Sequence, residues 1–573
     1  MRNRLPSPAA RDKRRAYSVG VKTLAVGILS AVSLCAQSAL YDRFFDDYLF
    51  RFYPTQGTSA GFHRYDDKLE DLSAKGVQDR IETLRKFERL FSTVSSSADK
   101  DIVVAKIHAD LLELESVRMW EKNPDFYSSQ MTNSIFVIMS RNYAPQGERL
   151  KSVIAREKLI PGGLAEARRN LKNPPRVYTE VAIEQLPGIA GFFKHDVPLA
   201  FNAVTDSAEL AEFKAANDSV IAALNSYEAF LKNDLLPRSK GDFRIGTENY
   251  RKKLEYDEMV DVPLEELLKI GYENLRANQE EFRKVAAEID PRRTPLQILD
   301  DLEKDHPPSD GLLQAFRNIL GGLKSFIEDH QIIDIPSPVL PIVEETPPFE
   351  RALTTASMDT PGPYEKVAKE AFFNVTLPDP EANAKEKEEY MESFNRGTIA
   401  STAIHEAYPG HYVQFLWVQQ APTKVRKLLG AGTNAEGWAH YCEQMMLDEG
   451  YGDRKLRLGQ LQDALLRNAR YIVGIQMHTG DMTMDQAREF FIKEGYQTPP
   501  IADKETKRGT SDPTYLMYTL GKLEILKLRE DYRKKMGDKF SLREFHDAFM
   551  RQGFPPIKIV REALLGGESG PAL

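Results

Sequence analysis

Two histidines and a glutamate in the segment HEAYPGH, residues 405–411, are of the types that bind and use a zinc ion. In the common zinc-peptidase helix, two histidines four positions apart bind the metal from one face, and the glutamate after the first histidine activates a water molecule. Here His405 and His411 are six positions apart. That step corresponds to roughly 600° of helix, so an unbroken helix would point the two imidazoles in different directions.

Pro409 and Gly410 stand between the two histidines and offer a way to realign them. Proline lacks the N–H group that bonds to the preceding turn, and glycine accepts backbone angles that are closed to other residues. We therefore expect the pair to unwind the helix locally and to bring His411 back towards the metal. The alternative is a helix that ends at Tyr408 beside two unrelated histidines.

A second segment, NAEGWAHYCEQMMLDEG at residues 434–450, supplies a carboxylate 31 residues after His405. Peptidases that hold zinc with two histidines and one glutamate take the third ligand from a later helix and leave a fourth position for water. Glu436 is the predicted third ligand, and Glu443 is predicted to orient a ligating imidazole. Glu443 as the ligand, His440 as a substitute ligand, and Glu436 as a solvated acid at a helix N-terminus are the alternatives.

These two segments resemble the bacterial family called domain of unknown function 885, which is marked by HExxPGH followed by EGWAxYxE. The resemblance extends over about residues 40 to 560 and includes the segments YPTQGTSAGFHRYDDKLEDLS (53–73), NPPRVYTEVAIEQLPGIAGFF (173–193) and REFHDAFMRQGFPP (543–556). It implies a mainly α, multi-helical, two-lobed protein with a deep cleft, similar to the helical zinc peptidases that trim short peptides. Family members commonly have two histidines after Pro-Gly, whereas this chain has His411-Tyr412, so the metal is assigned to His411.

Residues for the remaining steps of peptide hydrolysis follow from the first motif and from this resemblance. Glu406 is predicted to take a proton from the water and to pass it to the leaving amine. Donors must then meet the developing oxyanion, and the segments that look like the family's later blocks offer His478, Arg508 and Tyr518. Tyr518 is preferred to Tyr515 because it fits the family's Tyr-x-x-Gly pattern. A core tyrosine, a surface arginine and a helix-capping histidine are the structural alternatives.

The expected function is hydrolysis of short peptides by a metal-activated water, with Zn²⁺ as the cofactor. Two other interpretations use the same residues. One is a zinc-stabilised peptide-binding protein without catalytic activity, and the other is a metal-dependent amidohydrolase that acts on a non-peptide amide.

Most of the chain must be helical to position these residues. Residues 101–120, 207–231 and 263–289 carry apolar side chains at three- and four-residue spacing, and this spacing predicts amphipathic helices. A small β element is expected near residues 332–377, where prolines and β-branched residues are frequent and AFFNVTL (371–377) is the best strand candidate. That strand could pair with a substrate backbone or form a structural hairpin.

The first 38 residues are predicted to be a secretory signal peptide. A basic stretch at 11–22 precedes an apolar stretch at 23–36, and small residues follow it. Leu34 stands where a lipoprotein signal has a small residue, which disfavours a lipid anchor at Cys35. A helical N-terminal lobe at 39–335 and a metal-binding catalytic lobe at 336–573 are expected to follow.

Composition narrows the possible partners and the cellular location. Removal of the signal peptide takes away seven basic residues and one acidic residue and changes the net charge from −8 to −14. Such an acidic protein lacks the basic surface that nucleic acid or anionic lipid requires. No later segment is apolar for long enough to span a membrane. Only Cys442 then remains, so no internal disulfide is expected, and a periplasmic or secreted location is predicted.

Overall fold

The computed structural model describes residues 38–347, 351, 354–566 and 570–573. Within these ranges the chain is mainly α-helical with one small sheet, which confirms the predicted fold class. The predicted signal peptide, apart from residue 38, and the possible anchor Cys35 lie outside the described residues. None of the described helices combines the length and the apolar run that crossing a bilayer requires.

The N-terminal part of the chain consists almost entirely of helices that bury one face. In the longest of them, Leu264–Ile289, the buried positions include Leu267, Gly271 and Leu275, which is the spacing of an amphipathic helix. Pro263 caps this helix instead of occupying its first turn. The α-helices of this part are Phe50–Phe52, Pro54–Ser59, Ala74–Phe91, Ala98–Leu112, Met119–Lys122, Pro124–Met139, Gln146–Glu157, Ile160–Asn170, Arg176–Gly191, Val197–Ala200, Ser207–Phe230, Leu236–Arg238, Thr247–Glu258, Leu264–Ile289, Pro295–Glu303 and Leu312–Asp329.

Three short strands form one sheet between the two helical parts of the chain. They are β1 (Ile342–Glu345), β2 (Ala356–Asp359) and β3 (Phe372–Val375). β3 lies in the middle, parallel to β1 and antiparallel to β2. The strand predicted in AFFNVTL is therefore the central one, and β2 is an edge strand.

The C-terminal part returns to helices and carries the predicted site. Its longest helix, Arg454–Thr479, has buried residues along most of its length, so it runs through the interior of this region. The α-helices here are Ala384–Glu392, Arg396–Glu406, His411–Val418, Lys424–Leu428, Gly432–Asp448, Arg454–Thr479, Met484–Lys493, Pro499–Ser511, Met517–Met536, Leu542–Met550 and Ile557–Leu565.

Several hydrophobic clusters combine residues that are distant in sequence. One cluster packs Leu275 and Phe282 of the N-terminal part against Leu461 and Ile472 of the C-terminal part. Another places Tyr408 of the HEAYPGH segment in a core with residues from helices on both sides of it. Packing across the chain thus supports the site helices, and the lobe boundary at residues 335 and 336 stays a prediction.

Candidate metal centre

The first ligand helix, Arg396–Glu406, carries His405 in its last turn. Asn395 precedes this helix, and its side-chain oxygen accepts hydrogen bonds from two backbone N–H groups of the first turn at 3.0 and 3.1 Å. This cap satisfies donors that a helix N-terminus leaves without partners. The helix stops at Glu406, and the next helix is His411–Val418. The predicted break between the two histidines is present.

Gly410 allows the break to be tight. A Cβ atom built on Gly410 would lie 1.8 Å from the carbonyl oxygen of His405, far inside van der Waals contact. Only glycine permits this approach. Trp438 holds the turn from another side, because its Nε1 donates a hydrogen bond to the Pro409 carbonyl at 3.0 Å. The Tyr408–Pro409 peptide bond within the turn is cis.

The second ligand helix, Gly432–Asp448, carries Glu436 and Glu443. Its N-terminus is capped by Glu258, whose carboxylate accepts hydrogen bonds from the backbone N–H groups of Gly432 and Thr433 at 3.1 and 2.8 Å. A carboxylate at this end of a helix also interacts favourably with the helix dipole. The N-terminal part of the chain thus fixes where the second ligand helix begins.

The glycine of the EGWA motif brings a third helix close to the site. A Cβ atom on Gly437 would lie 2.5 Å from the Cα atom of Gly521, which belongs to the helix Met517–Met536. Because neither residue has a side chain, the two helix backbones can touch. This contact places Tyr518 beside the ligand Glu436, and both line the same cavity.

His405, His411 and Glu436 converge in the folded chain. Glu436 Oε2 lies 3.2 Å from His405 Nε2 and 3.3 Å from His411 Nε2, and one ligand atom from each residue lies within 4.8 Å of the other two. Ligand atoms that are 2.0–2.1 Å from a tetrahedral zinc ion are roughly 3.4 Å apart. The donor types and spacing therefore suit zinc, and no second group of this kind occurs in the described part of the chain.

Two buried atoms of this triad have no hydrogen-bond partner among the described residues, Nδ1 of His411 and Oε2 of Glu436. The contacts of Glu436 with the two histidines are short but do not have hydrogen-bond geometry. A buried carboxylate oxygen without a hydrogen bond is costly. A cation at the centre of the triad would satisfy it, and this supports the metal-binding interpretation.

Glu443 fixes the orientation of His405, which is the role expected of a carboxylate behind a metal ligand. Its Oε1 lies 2.7 Å from His405 Nδ1, which leaves Nε2 of His405 to face the other two ligands. Its Oε2 lies 3.0 Å from Nδ1 of His440. Arg467 forms an ion pair with Oε1 of Glu443 at 2.8 Å. His440 is therefore bonded to Glu443 and does not take part in the triad.

The carboxylates of this centre favour the binding of positively charged partners. Burial lowers the pKa of His405, but the neighbouring carboxylates of Glu436 and Glu443 outweigh burial and raise it to about 9. Burial raises the pKa of Glu436, but the neighbouring His411 and His405 bring it well below its usual range. Protons and a divalent metal ion would compete for this site.

Glu406 lies next to the triad and lines the same cavity. Burial raises the pKa of its carboxyl group, and His405 and His411 partly oppose that shift. A carboxylate with a raised pKa is a stronger base than an exposed one. The position and the protonation chemistry of Glu406 suit the transfer of a proton to or from a reactant in the cavity.

Tyr518 and Arg508 form a wall of the cavity beside the triad. The ring of Tyr518 lies 6.2 Å from the ring of His405, and its hydroxyl accepts a hydrogen bond from Arg508 at 3.0 Å. Burial raises the pKa of Tyr518 although Arg508 lowers it, so the hydroxyl keeps its proton and can donate it to a ligand. Tyr515 is fully buried and does not line this cavity.

His478 is not brought to the site, contrary to the prediction for it. Its Nε2 lies 2.7 Å from the carbonyl oxygen of Gly509, and it is absent from the cavity lining. On the helix Arg454–Thr479, His478 comes 11 residues after Arg467. That separation keeps both on a similar face but places His478 roughly 16 Å further along the axis.

Sequence reasoning missed the charged stripe on this helix. Asp463, Arg467 and Arg470 recur at positions i, i+4 and i+7, which places them on one face. They line a small cavity beside His405 and Glu406. The pattern was visible in the sequence, since three charged residues interrupt the face that an interior helix normally keeps apolar.

The triad lies at the floor of a cavity of about 760 Å³. One wall comes from the helix Pro124–Met139, and another comes from β2. Apolar and polar groups alternate around it, as in sites that hold small molecules or short chains. The lining residues are Asp125, Phe126, Ser129, Gln130, Asn133, Gln185, Thr354, Ala356, Ser357, Met358, His405, Glu406, His411, Phe415, Ala435, Glu436, Arg508 and Tyr518.

Two solved structures share this fold. A protein from Shewanella oneidensis, described as a candidate lipoprotein of unknown function, is 27% identical, with a TM-score of 0.74 over 92% of this chain and 99% of that chain. A candidate lipoprotein from Colwellia psychrerythraea is 17% identical, with a TM-score of 0.79 over 93% of this chain and 98% of that chain. The second similarity concerns the fold alone. No curated protein matches the chain.

A family model supports the resemblance that the sequence motifs indicated. The model for a bacterial protein of unknown function, DUF885, matches residues 54–564. This range covers nearly the whole chain and includes all three residues of the triad. The chain belongs to the DUF885 family of bacterial proteins of unknown function.

Proposed function

We propose that the protein is a zinc-dependent peptidase of the bacterial cell envelope that hydrolyses short peptides. The observation that carries the proposal is the convergence of His405, His411 and Glu436 beside a buried Glu406 at the floor of a cleft. Two histidines and a glutamate leave one coordination position open, which is the arrangement of catalytic rather than structural zinc sites. When bound, zinc would polarise the scissile carbonyl and lower the pKa of water.

The residues around the triad would carry out the remaining steps. Glu443 keeps Nε2 of His405 directed at the centre. Glu406 would accept a proton from the attacking water and deliver it to the leaving amine nitrogen. Tyr518 would donate a hydrogen bond to the oxyanion as it forms, with its hydroxyl held by Arg508. His478 has no part in the proposed mechanism.

The edge of β2 supports a peptide as the substrate. The Thr355 carbonyl accepts a hydrogen bond from the Thr376 N–H at 2.9 Å, and backbone groups alternate in direction along an antiparallel strand. The N–H and C=O groups of Ala356 and Met358 therefore face away from β3, and both residues line the cavity. An extended peptide could add to this edge.

The strand predicted in AFFNVTL cannot pair with a substrate backbone. β3, which contains most of AFFNVTL, has a hydrogen-bonded neighbour on each side. Its backbone groups are used within the sheet. β1 and β2 are the edge strands, and the residues of β2 line the cavity, although they gave no clear strand pattern in the sequence.

Comparison of the wild-type protein with a Glu406→Gln variant tests the proposal. Both proteins are loaded with zinc and incubated with a peptide library, and the products are identified by mass spectrometry. We expect hydrolysis by the wild type, its loss on treatment with a chelator, and a loss of at least about a thousandfold in the variant with zinc still bound. Zinc and peptide binding without hydrolysis would indicate a binding protein, and cleavage of non-peptide amides alone would indicate an amidohydrolase.

Export to the cell envelope is the other part of the proposal. The predicted signal peptide supports export, and the solved structure from Shewanella oneidensis is described as a candidate lipoprotein. The sequence favours release of the protein, because Leu34 precedes Cys35. Fractionation of cells grown with a labelled fatty acid tests this point. Label on the protein would show an anchor at Cys35, and unlabelled protein in the periplasm or medium would show release.

A further inference from the structure

A second cavity of about 290 Å³ continues the cleft along β2. The two cavities share Asn133, Ser357 and Met358 in their linings. Of these two cavities, Ala356 lines that of the triad, whereas Asp359, at the other end of β2, lines the second. The edge of β2 therefore leads from the metal centre into the second cavity over three residues, a distance of roughly 10 Å.

Two chain segments in direct backbone contact close the far end of the second cavity. The Tyr364 N–H donates a hydrogen bond to the Ala60 carbonyl at 2.9 Å. A Cβ atom on Gly362 would lie 1.9 Å from the Ser59 carbonyl oxygen. Ser59 and Gly362 both line the cavity. A chain that lies along β2 beyond Asp359 would meet these two segments.

His63 ties the closed end together. Its Nε2 lies 2.9 Å from Glu365, its Nδ1 lies 3.1 Å from Asp66, and its ring stacks on Tyr143 at 3.7 Å. Glu365 also accepts backbone hydrogen bonds from the segment that follows it. These contacts fix the end wall within the fold. Both ring nitrogens of His63 are paired with carboxylates there and are not available to a ligand.

The closed end offers a ligand two acceptors, beside hydroxyl groups that can donate or accept. Asn374 lines the cavity and is 2% exposed, and its Oδ1 has no hydrogen-bond partner in the described part of the chain. The Asp359 carboxylate also lines the cavity. Arg141, a cation that lines the cavity, forms an ion pair with Asp359 and donates a hydrogen bond to the carbonyl of Glu370. An ammonium group, which has donors and no acceptor, matches such a set.

The opposite end of β2 carries groups of both charges. Asp125, Glu406 and Glu436 line the triad cavity there together with Arg508, and a zinc ion on the triad would offset the carboxylates. A peptide that runs antiparallel to β2 would place its amino end near Asp359 and its carboxyl side towards Arg508 and the metal. The reverse direction would place the free ammonium group beside these cations.

We propose that the closed end of the cleft binds the free α-ammonium group of a short peptide, so that the protein removes an amino-terminal fragment of roughly three residues. The proposal rests on the proposed peptidase function. Each turnover consumes one water molecule and breaks one C–N bond. The amino-terminal fragment leaves with a new carboxylate, and the remainder leaves with a new amine.

Three forms of one heptapeptide test this inference with the full-length, zinc-loaded protein. The forms have free termini, an acetylated amino terminus, or an amidated carboxyl terminus, and kcat/KM is measured by chromatography and mass spectrometry. We expect acetylation to lower kcat/KM at least about tenfold, because it removes a charge-assisted hydrogen bond. Amidation should change it less than about threefold, and the first products should be amino-terminal fragments of two to four residues.

Substitutions at the closed end test which residues cause the preference for a free amino terminus. Asp359→Asn should bring the free and acetylated peptides to within about threefold of each other, and Asn374→Leu should do the same. Asp379→Asn, on the exposed loop after β3, is the matched control and should keep the full discrimination.

The outcomes separate this inference from the proposed function. Equal cleavage of the free and acetylated peptides would overturn the inference and leave the peptidase function intact. A larger loss on amidation than on acetylation would mean that the chain binds in the opposite direction, and it would overturn the inference. Hydrolysis of none of the three forms would overturn both.

Discussion

Substitution of Gly410 by alanine perturbs the turn that aligns the two histidine ligands. The added Cβ atom would lie 1.8 Å from the His405 carbonyl oxygen and 2.5 Å from that of Ile404. Both contacts involve backbone atoms, which cannot rotate away as the end of a flexible side chain can. The turn must therefore open, or the first ligand helix must shift.

The size of the effect follows from this overlap. A contact of ordinary length requires a displacement of roughly 1.6 Å between Gly410 and the backbone of His405. Metal–ligand distances tolerate about 0.2 Å. We therefore expect Gly410→Ala to weaken zinc binding by at least about a hundredfold, or about 2.7 kcal/mol. Overpacking should also destabilise the metal-free protein by about 1–3 kcal/mol.

Gly322 provides a matched control for this experiment. It lies in the helix Leu312–Asp329, and a Cβ atom there would meet nothing within 4 Å. Gly322→Ala should leave zinc affinity unchanged and stabilise the protein by about 0.5–1 kcal/mol.

The assay is a zinc titration against a chromophoric chelator, with thermal unfolding recorded with and without zinc. Zinc affinity of Gly410→Ala within about threefold of the wild type would refute the reasoning. An equal loss in Gly322→Ala would refute it as well.

Three further substitutions test other parts of the account. Glu443→Gln should lower zinc affinity about 10- to 100-fold in the same titration, because His405 loses its charged partner; unchanged affinity would contradict this. Tyr518→Phe should lower kcat about a hundredfold at similar KM, and a kcat within twofold would exclude the hydroxyl as an oxyanion donor. Burial without a hydrogen bond raises the pKa of Glu157 from 4.5 to about 9. Between these pH values the folded chain keeps a proton that the unfolded chain releases, so the free energy of unfolding falls as pH rises. Glu157→Met should thus raise the free energy of unfolding by up to about 3 kcal/mol at pH 7 and by much less near pH 5, measured by chemical denaturation; an equal gain at both pH values would contradict the assignment.

The three residues of the triad could be predicted from the sequence because two local motifs carry them. The spacing of His405 and His411 required a break, and Pro409-Gly410 showed where it had to occur. The reason for glycine could not be predicted, since it depends on the approach of a carbonyl oxygen five residues earlier. Such a contact exists only once the turn has formed.

Contributions from distant parts of the chain were beyond sequence reasoning. Glu258 caps the second ligand helix from 174 residues away, and nothing near it in the sequence indicates that role. The sheet order was equally hidden, because the segments of β1 and β2 are short and β1 follows a proline-rich stretch. Which strands have a free edge is decided by pairing across the chain and not by strand propensity.

The metal site itself is tested most directly by anomalous scattering at the zinc edge from crystals of the zinc-loaded protein. The account predicts one strong peak, about 2.0–2.1 Å from Nε2 of His405, Nε2 of His411 and a carboxylate oxygen of Glu436. The absence of a peak between these three side chains, or a peak bound by other residues, would contradict it.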